Sequence, residues 1–150
     1  MPKYLYIIRL VALSVLILCA STSCHYLGDY TVTQRSSIDK AIATARGVAP
    51  ANLLVGGGSS DLIFRALHHW LTPTSQVLIL DPTYGEYAHV LERVIGCSVD
   101  RLSLTRDRDY TVDLDALSAA LADNYDLVVL VNPNSPTGRH VPRAALETVL

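Results

Sequence analysis

Three polar segments of the chain hold the residue types and spacings that chemistry needs: Gly56-Gly57-Gly58-Ser59-Ser60-Asp61, Asp81-Pro82-Thr83-Tyr84-Gly85-Glu86-Tyr87, and Asn132-Pro133-Asn134-Ser135-Pro136-Thr137-Gly138. In the first, glycines let the backbone come close to a ligand, and a helix that starts at the serines offers free N–H groups to an anion. Ser59 and Ser60 can add hydroxyl donors, and phosphate is the natural guest. The segment is not a P-loop, because the closing Gly-Lys-Ser/Thr is missing, and it is not a strict Gly-x-Gly-x-x-Gly, because position 61 is Asp. It also reads as a tight strand-to-helix turn capped by serine. In the second segment, the flat Tyr84 ring can stack on a flat cofactor or pack under the next helix, whereas Tyr87 belongs in the core. In the third, two prolines and a glycine stiffen a loop whose polar side chains are thereby held in place, for a ligand or as a rigid Asx-capped turn.

These segments need elements to position them, and the pattern supplies them. Ser36 or Ser37 caps a helix to Arg46 that presents Ile38, Ala41, Ile42 and Ala45 on one face, and Gly47 stops it. Asn52 to Val55 reads as a short strand, and a helix from Asp61 to Leu71 follows the glycines. Gln76 to Leu80 is a buried strand, Tyr84 to Ile95 a helix ended by Gly96, and Cys97 to Leu104 a strand. Thr105 to Tyr110 is a polar loop, and Asp113 caps a helix to about Ala122. Asp126 to Val131 is a strand apolar on both faces, and Pro142 suits the first turn of a last helix. Strands and helices that alternate with short connections predict an α/β fold, with a mostly parallel sheet flanked by helices. Each polar segment then follows a strand, and in an open parallel sheet ligands sit at the carboxyl ends of the strands.

Composition excludes several classes. Half of the chain is apolar and 17% is charged, a globular balance rather than a disordered one. The formal net charge is -2 and Lys3 and Lys40 are the only lysines, so no basic stripe exists for nucleic acid. Cys19, Cys24 and Cys97 form no Cys-x-x-Cys pair and have no histidine at metal-ligand spacing, so no metal site is expected. Cys97 reads as a small buried hydrophobe. His68 and His69 lie on the helix after the glycines, one facing solvent and one packing. Arg139 reads as a solvated surface residue or as a partner for an acidic substrate group.

Residues 1–24 stand apart. Lys3 and Arg9 precede an apolar run from Leu10 to Ala20, and small residues Ser21 to Ser23 follow. This is the pattern of a secretory signal, and the run is too short to span a bilayer. The alternatives are a buried element or a start placed too far upstream. Residues 25–150 read as one domain.

The order of the three motifs, each after a buried strand, resembles the fold-type I pyridoxal-phosphate aminotransferases of class I/II. It is most similar to the group of histidinol-phosphate aminotransferases and threonine-phosphate decarboxylases. The resemblance runs from about Tyr30 to Leu150. It implies the N-terminal part of the large pyridoxal-phosphate-binding domain, incomplete here. It implies that Gly58, Ser59 and Ser60 hold the phosphate of pyridoxal 5'-phosphate and that Tyr84 stacks on the pyridine ring. The family's asparagine before Pro-Thr-Gly, which bonds the cofactor's phenolic oxygen, is replaced by Ser135, and the resemblance leaves two candidates for that contact, the Ser135 hydroxyl and the side chain of Asn134 beside it. Tyr30 matches a tyrosine that reaches the neighbouring subunit's phosphate, with Thr31 in place of the family's proline, and Tyr26 is a second candidate.

The resemblance further implies amino-group transfer between an amino acid or amino-phosphate and a 2-oxo acid such as 2-oxoglutarate, in a cytoplasmic homodimer. A decarboxylase or lyase on the same scaffold, or a non-catalytic exported remnant, is the alternative. The family's Schiff-base lysine, its pyridine-pairing aspartate and its substrate-binding arginine all lie beyond the third motif. No catalytic residue is therefore assigned within the chain, which is expected to be a truncated portion and inactive alone.

Overall fold

The computed structural model describes residues 32–149, with side chains from Ser37 onward. The expected contacts of Tyr30 and Tyr26 and the signal-like segment lie outside the described residues. Contacts within the chain fall into two units whose boundary lies between Leu62 and Ile63, inside one helix.

Residues 32–62 contain helix α1 (Val32–Arg46), a 3-10 turn (Pro50–Asn52) and the start of helix α2 (Ser59–Trp70). Helix α1 ends where Gly47 takes φ +64, as its sequence predicts, but it begins upstream of the expected Ser36 or Ser37 cap. The strand expected at Asn52 to Val55 does not form. A strand exists only as one side of a hydrogen-bonded ladder, and among the described residues none is paired with this segment.

Residues 63–149 form a three-layer α/β unit. Strands β1 (Gln76–Asp81), β2 (Ser98–Ser103) and β3 (Leu127–Val129) make a parallel sheet in the order β2-β1-β3. Gln76 pairs with Ser98 and Asp81 with Ser103 on one side, and Val77 to Ile79 pair with Leu127 to Val129 on the other. The Asp126 carboxylate accepts the Gln76 N–H at 2.9 Å, fixing the register where β1 begins.

Alternation along the strands sends side chains to opposite faces. Val77, Ile79, Leu127 and Val129 pack with Ile63, Leu67 and Leu71 of the α2 segment and with Tyr87, Val90, Leu91 and Ile95. Leu78, Leu80, Val128 and Leu130 pack on the other face with Leu117 of helix α4 (Leu114–Leu121) and Leu146 of helix α5 (Arg143–Val149). Strands apolar on both sides therefore fill a core on both sides, as a parallel sheet requires.

The helix expected from Tyr84 to Ile95 is present in altered form. It begins as helix α3 (Gly85–Ala88) and widens into π-helical turns from His89 to Ile95. The wider turn buries Val90, Leu91 and Ile95 while Val94 stays outward. Gly96, at φ +87, ends it, and the N–H groups of Gly96 and Cys97 both reach the Leu91 carbonyl. Cys97 is buried and its thiol donates to the Thr72 carbonyl at 3.5 Å, in keeping with its reading as a small core residue. The loop from Thr105 contains a 3-10 turn (Arg106–Arg108) followed by Asp109 and Tyr110, both with left-handed backbones.

Asp113 caps α4 as its position predicts. Its carboxylate accepts the Ala116 N–H at 3.1 Å and pairs with Arg108, and these two contacts, the first foremost, hold it below the usual carboxylate range. A carboxyl whose pKa is depressed on folding adds stability above its unfolded pKa of about 4. That stability is lost as the pH falls through the folded pKa. Asp113→Asn, which keeps an oxygen acceptor and loses the charge, is expected to make the fall of stability below about pH 4 shallower in urea titrations. Leu67 is fully buried in the core. Leu67→Ala is expected to cost roughly 2–5 kcal/mol of unfolding free energy, whereas the exposed Ser118→Ala stays within about 0.5 kcal/mol, both read from urea midpoints.

Candidate functional site: a glycine turn and two interlocked loops

Two of the three glycines in the first motif, Gly56 and Gly58, have a physical reason to be glycine. A Cβ on Gly56 would lie 2.5 Å from the Asp61 carboxylate and 2.7 Å from Leu62, so no side chain fits. The Gly57 N–H donates to the Asp61 carboxylate at 2.9 Å. Gly58 has φ +123, a conformation that residues with a Cβ rarely adopt. The chain then enters α2 at Ser59. The first N–H groups of a helix have no carbonyl four residues earlier to receive them. Those of Ser59 and Ser60 have no acceptor among the described residues, and both serines are half-buried. Free N–H groups at a helix start are of the kind that favours an anion.

The second and third motifs meet at the carboxyl ends of the adjacent strands β1 and β3. Asn134 is only 3% exposed and links the two loops. Its side-chain carbonyl accepts from the Thr83 hydroxyl at 2.9 Å, and its amide donates to the Pro82 carbonyl at 2.9 Å and to the Thr137 hydroxyl at 3.0 Å. Both amide hydrogens are therefore spent inside the protein, and Asn134 has none to offer a ligand.

Asn132 closes the third loop at its base. Its side chain donates to the Val141 carbonyl at 2.8 Å and accepts the Val141 N–H at 2.9 Å. Within the loop, the Asn134 N–H reaches the Arg139 carbonyl at 2.7 Å and the Gly138 N–H reaches the Asn134 carbonyl at 2.6 Å, with Gly138 at φ +69. The peptide bonds before Pro82, Pro133 and Pro136 are cis. Thr83 and Asn132 were not singled out by sequence. Their signal lies only in the local hydrogen bonds that an Asn or Thr beside a proline tends to make.

Two groups on these loops face outward. Tyr84, just before α3, is 39% exposed, and its ring meets Tyr87 edge-on with centroids 6.2 Å apart. Tyr87 is buried beneath it, and burial first and Tyr84 second push its hydroxyl up to about 12. Tyr87 therefore stays neutral and acts as a packing support. Ser135 is exposed at the tip of the third loop, and its hydroxyl has no partner among the described residues.

Arg139 is neither free nor directed at the tip of the loop. It donates to the Asp109 carbonyl at 2.7 Å and pairs with the Asp109 carboxylate, fastening the loop to the left-handed pair Asp109 and Tyr110. His68 and His69 are both exposed, so the expectation that one packs is corrected; their helix buries Ile63 and Leu67 instead. No cluster of three or more metal-ligating side chains occurs among the described residues. No helix among them is long and apolar enough to cross a membrane.

The strained Gly58 backbone gives a direct test. Gly58→Ala is expected to destabilise the protein by roughly 1–3 kcal/mol. Gly57→Ala, whose Cβ would meet nothing closer than 4.0 Å, is expected to cost less than the Gly58 change in the same urea titration.

Comparison with known proteins shows the family. The model of the family Aminotransferase class I and II matches residues 20–150. A histidinol-phosphate aminotransferase of Cupriavidus pinatubonensis is 36% identical over 131 residues, covering 87% of this chain and 34% of that protein. One of Moorella thermoacetica is 29% identical over 128 residues, covering 85% and 29%. The chain thus spans about a third of the length of these curated relatives. Among solved structures, a decarboxylase from Sulfurospirillum multivorans is 27% identical with a TM-score of 0.65, covering 75% of this chain and 28% of that one. A histidinol-phosphate aminotransferase from Sinorhizobium meliloti, in complex with pyridoxal-5'-phosphate, has the same fold at a TM-score of 0.68 and 23% identity, covering 81% and 32%. With a parallel sheet flanked by helices and the second and third motifs at the ends of β1 and β3, the chain belongs to the aminotransferase class I and II family.

Proposed function

We propose that the protein carrying this chain is a pyridoxal-5'-phosphate-dependent aminotransferase. It moves an amino group between an amino acid or amino-phosphate substrate and a 2-oxo acid such as 2-oxoglutarate, and it works as a cytoplasmic homodimer. The identities to histidinol-phosphate aminotransferases support the substrate class. The observation that carries the reading is the outward presentation of the Tyr84 ring and the Ser135 hydroxyl on two loops that Asn134 holds together.

The residues present fit the cofactor. The glycine turn supplies N–H donors at a helix start for a phosphate, Tyr84 supplies a flat exposed face for an aromatic ring, and Ser135 supplies an unpartnered hydroxyl for a phenolic oxygen. In this reading Gly58, Ser59 and Ser60 hold the phosphate and Tyr84 stacks on the ring. Ser135 bonds the phenolic oxygen, Asn134 positions it without touching the ligand, and Tyr30 reaches the phosphate of the partner subunit. The cofactor when bound supplies an electron sink that the protein's own side chains lack. Lys3 and Lys40 are the only lysines, and neither matches the family's cofactor-holding lysine, so these 150 residues alone transfer no amino group.

A decarboxylase or lyase would use the same visible residues, and the solved decarboxylase of similar fold keeps that second reading open to test. The protein from its complete reading frame is incubated with histidinol phosphate and 2-oxoglutarate, and glutamate and carbon dioxide are measured. Glutamate without carbon dioxide is the expected result, and carbon dioxide release in its place contradicts transamination. Tyr84→Ala is expected to weaken cofactor binding by up to about tenfold, the worth of one aromatic stack, in an equilibrium titration.

A further inference from the structure

We propose that Thr83 and Asn134 form a positioning pair that sets the Ser135 hydroxyl against the cofactor, so that the loop after β1 controls a contact made by the loop after β3. The inference rests on the cofactor reading above and adds residues that make no contact with the cofactor. Asn134 is buried to 3% exposure, and its carboxamide has three partners: the Thr83 hydroxyl, the Pro82 carbonyl and the Thr137 hydroxyl. Two of these partners precede Tyr84 on one loop and the third follows Ser135 on the other. The residue next to Asn134 is Ser135, and its exposed hydroxyl has no partner among the described residues. A buried amide with fixed partners is costly to leave unpaired, so the two loops move as one body. Ser135 therefore inherits its place from Thr83, across the gap between two strands.

Thr83 is the right residue to perturb, since among the described residues its half-buried hydroxyl bonds Asn134 alone. A hydroxyl that donates to the phenolic oxygen draws off charge that otherwise holds a neighbouring proton. Losing that bond moves the pH midpoint of the bound cofactor's visible absorption upward. In the holoenzyme, Ser135→Ala is expected to raise the midpoint by about one unit. Thr83→Val, which keeps shape and removes the hydroxyl, is expected to raise it by roughly half a unit, and Thr83→Ser to leave it near that of the parent. Tyr125→Phe is the control for general destabilisation, because it removes a 2.9 Å bond to Asp100 beside the opposite end of β3; it is expected to leave the midpoint unchanged. A Thr83→Val midpoint equal to the parent's, with Ser135→Ala shifted, overturns the coupling. An unshifted Ser135→Ala overturns it too, because Ser135 is then not the group acted upon. A parent protein that shows no visible cofactor band overturns the cofactor reading itself, and this inference with it.

Discussion

The structure depends on the burial of β1 on both faces with a hydrogen-bonded neighbour on each edge. Val77, Leu78, Ile79 and Leu80 are all at most 3% exposed and feed the two apolar layers alternately. A strand so enclosed cannot slip by one residue without turning both layers inside out. Its end is therefore a fixed point. Asp81 pairs with Ser103, and the chain leaves the sheet at Pro82 with Thr83 and Tyr84 next. Because β3 is the adjacent strand, its loop emerges beside this fixed point, and Asn134 reaches across.

Rigidity in this region comes from polar contacts inside the loops, since loops at strand ends have little apolar area to bury. The reciprocal pair between Asn132 and Val141 closes the base of the third loop, Asn134 joins its tip to the neighbouring loop, and Arg139 fastens its far side to Asp109. Each contact satisfies a donor or acceptor that would otherwise cost free energy where water is excluded. The remaining outward groups, Tyr84 and Ser135, are held in place without being consumed.

Much of this was legible in the residues. Continuous apolar runs marked β1 and β3, because burial on both faces demands them, whereas β2 is a largely exposed strand in which only Val99 and Leu102 alternate with polar residues. Asp113 announced its cap, and Tyr87 and Cys97 their burial. Asn52 to Val55 misled, because a short apolar run states a wish to be buried and not a partner to pair with. The π-helical turn after Ala88 was invisible for a different reason: its apolar spacing also fits an ordinary helix, and the choice is made by packing against the sheet. Asn134 read as a possible ligand donor because residue type alone does not say where an amide points. Its role emerged only when Pro82 and Thr83, some fifty positions away in sequence, came within hydrogen-bonding distance.

The central claim is that these motifs cradle pyridoxal 5'-phosphate, and a crystal structure of the complete protein grown with that cofactor tests it most directly. The account predicts the phosphate on the N–H groups of Gly58, Ser59 and Ser60, the ring on Tyr84, and the Ser135 hydroxyl within hydrogen-bonding distance of the phenolic oxygen. A cofactor bound away from these residues, or one whose phenolic oxygen is held by an Asn134 that has let go of Thr83, would contradict it.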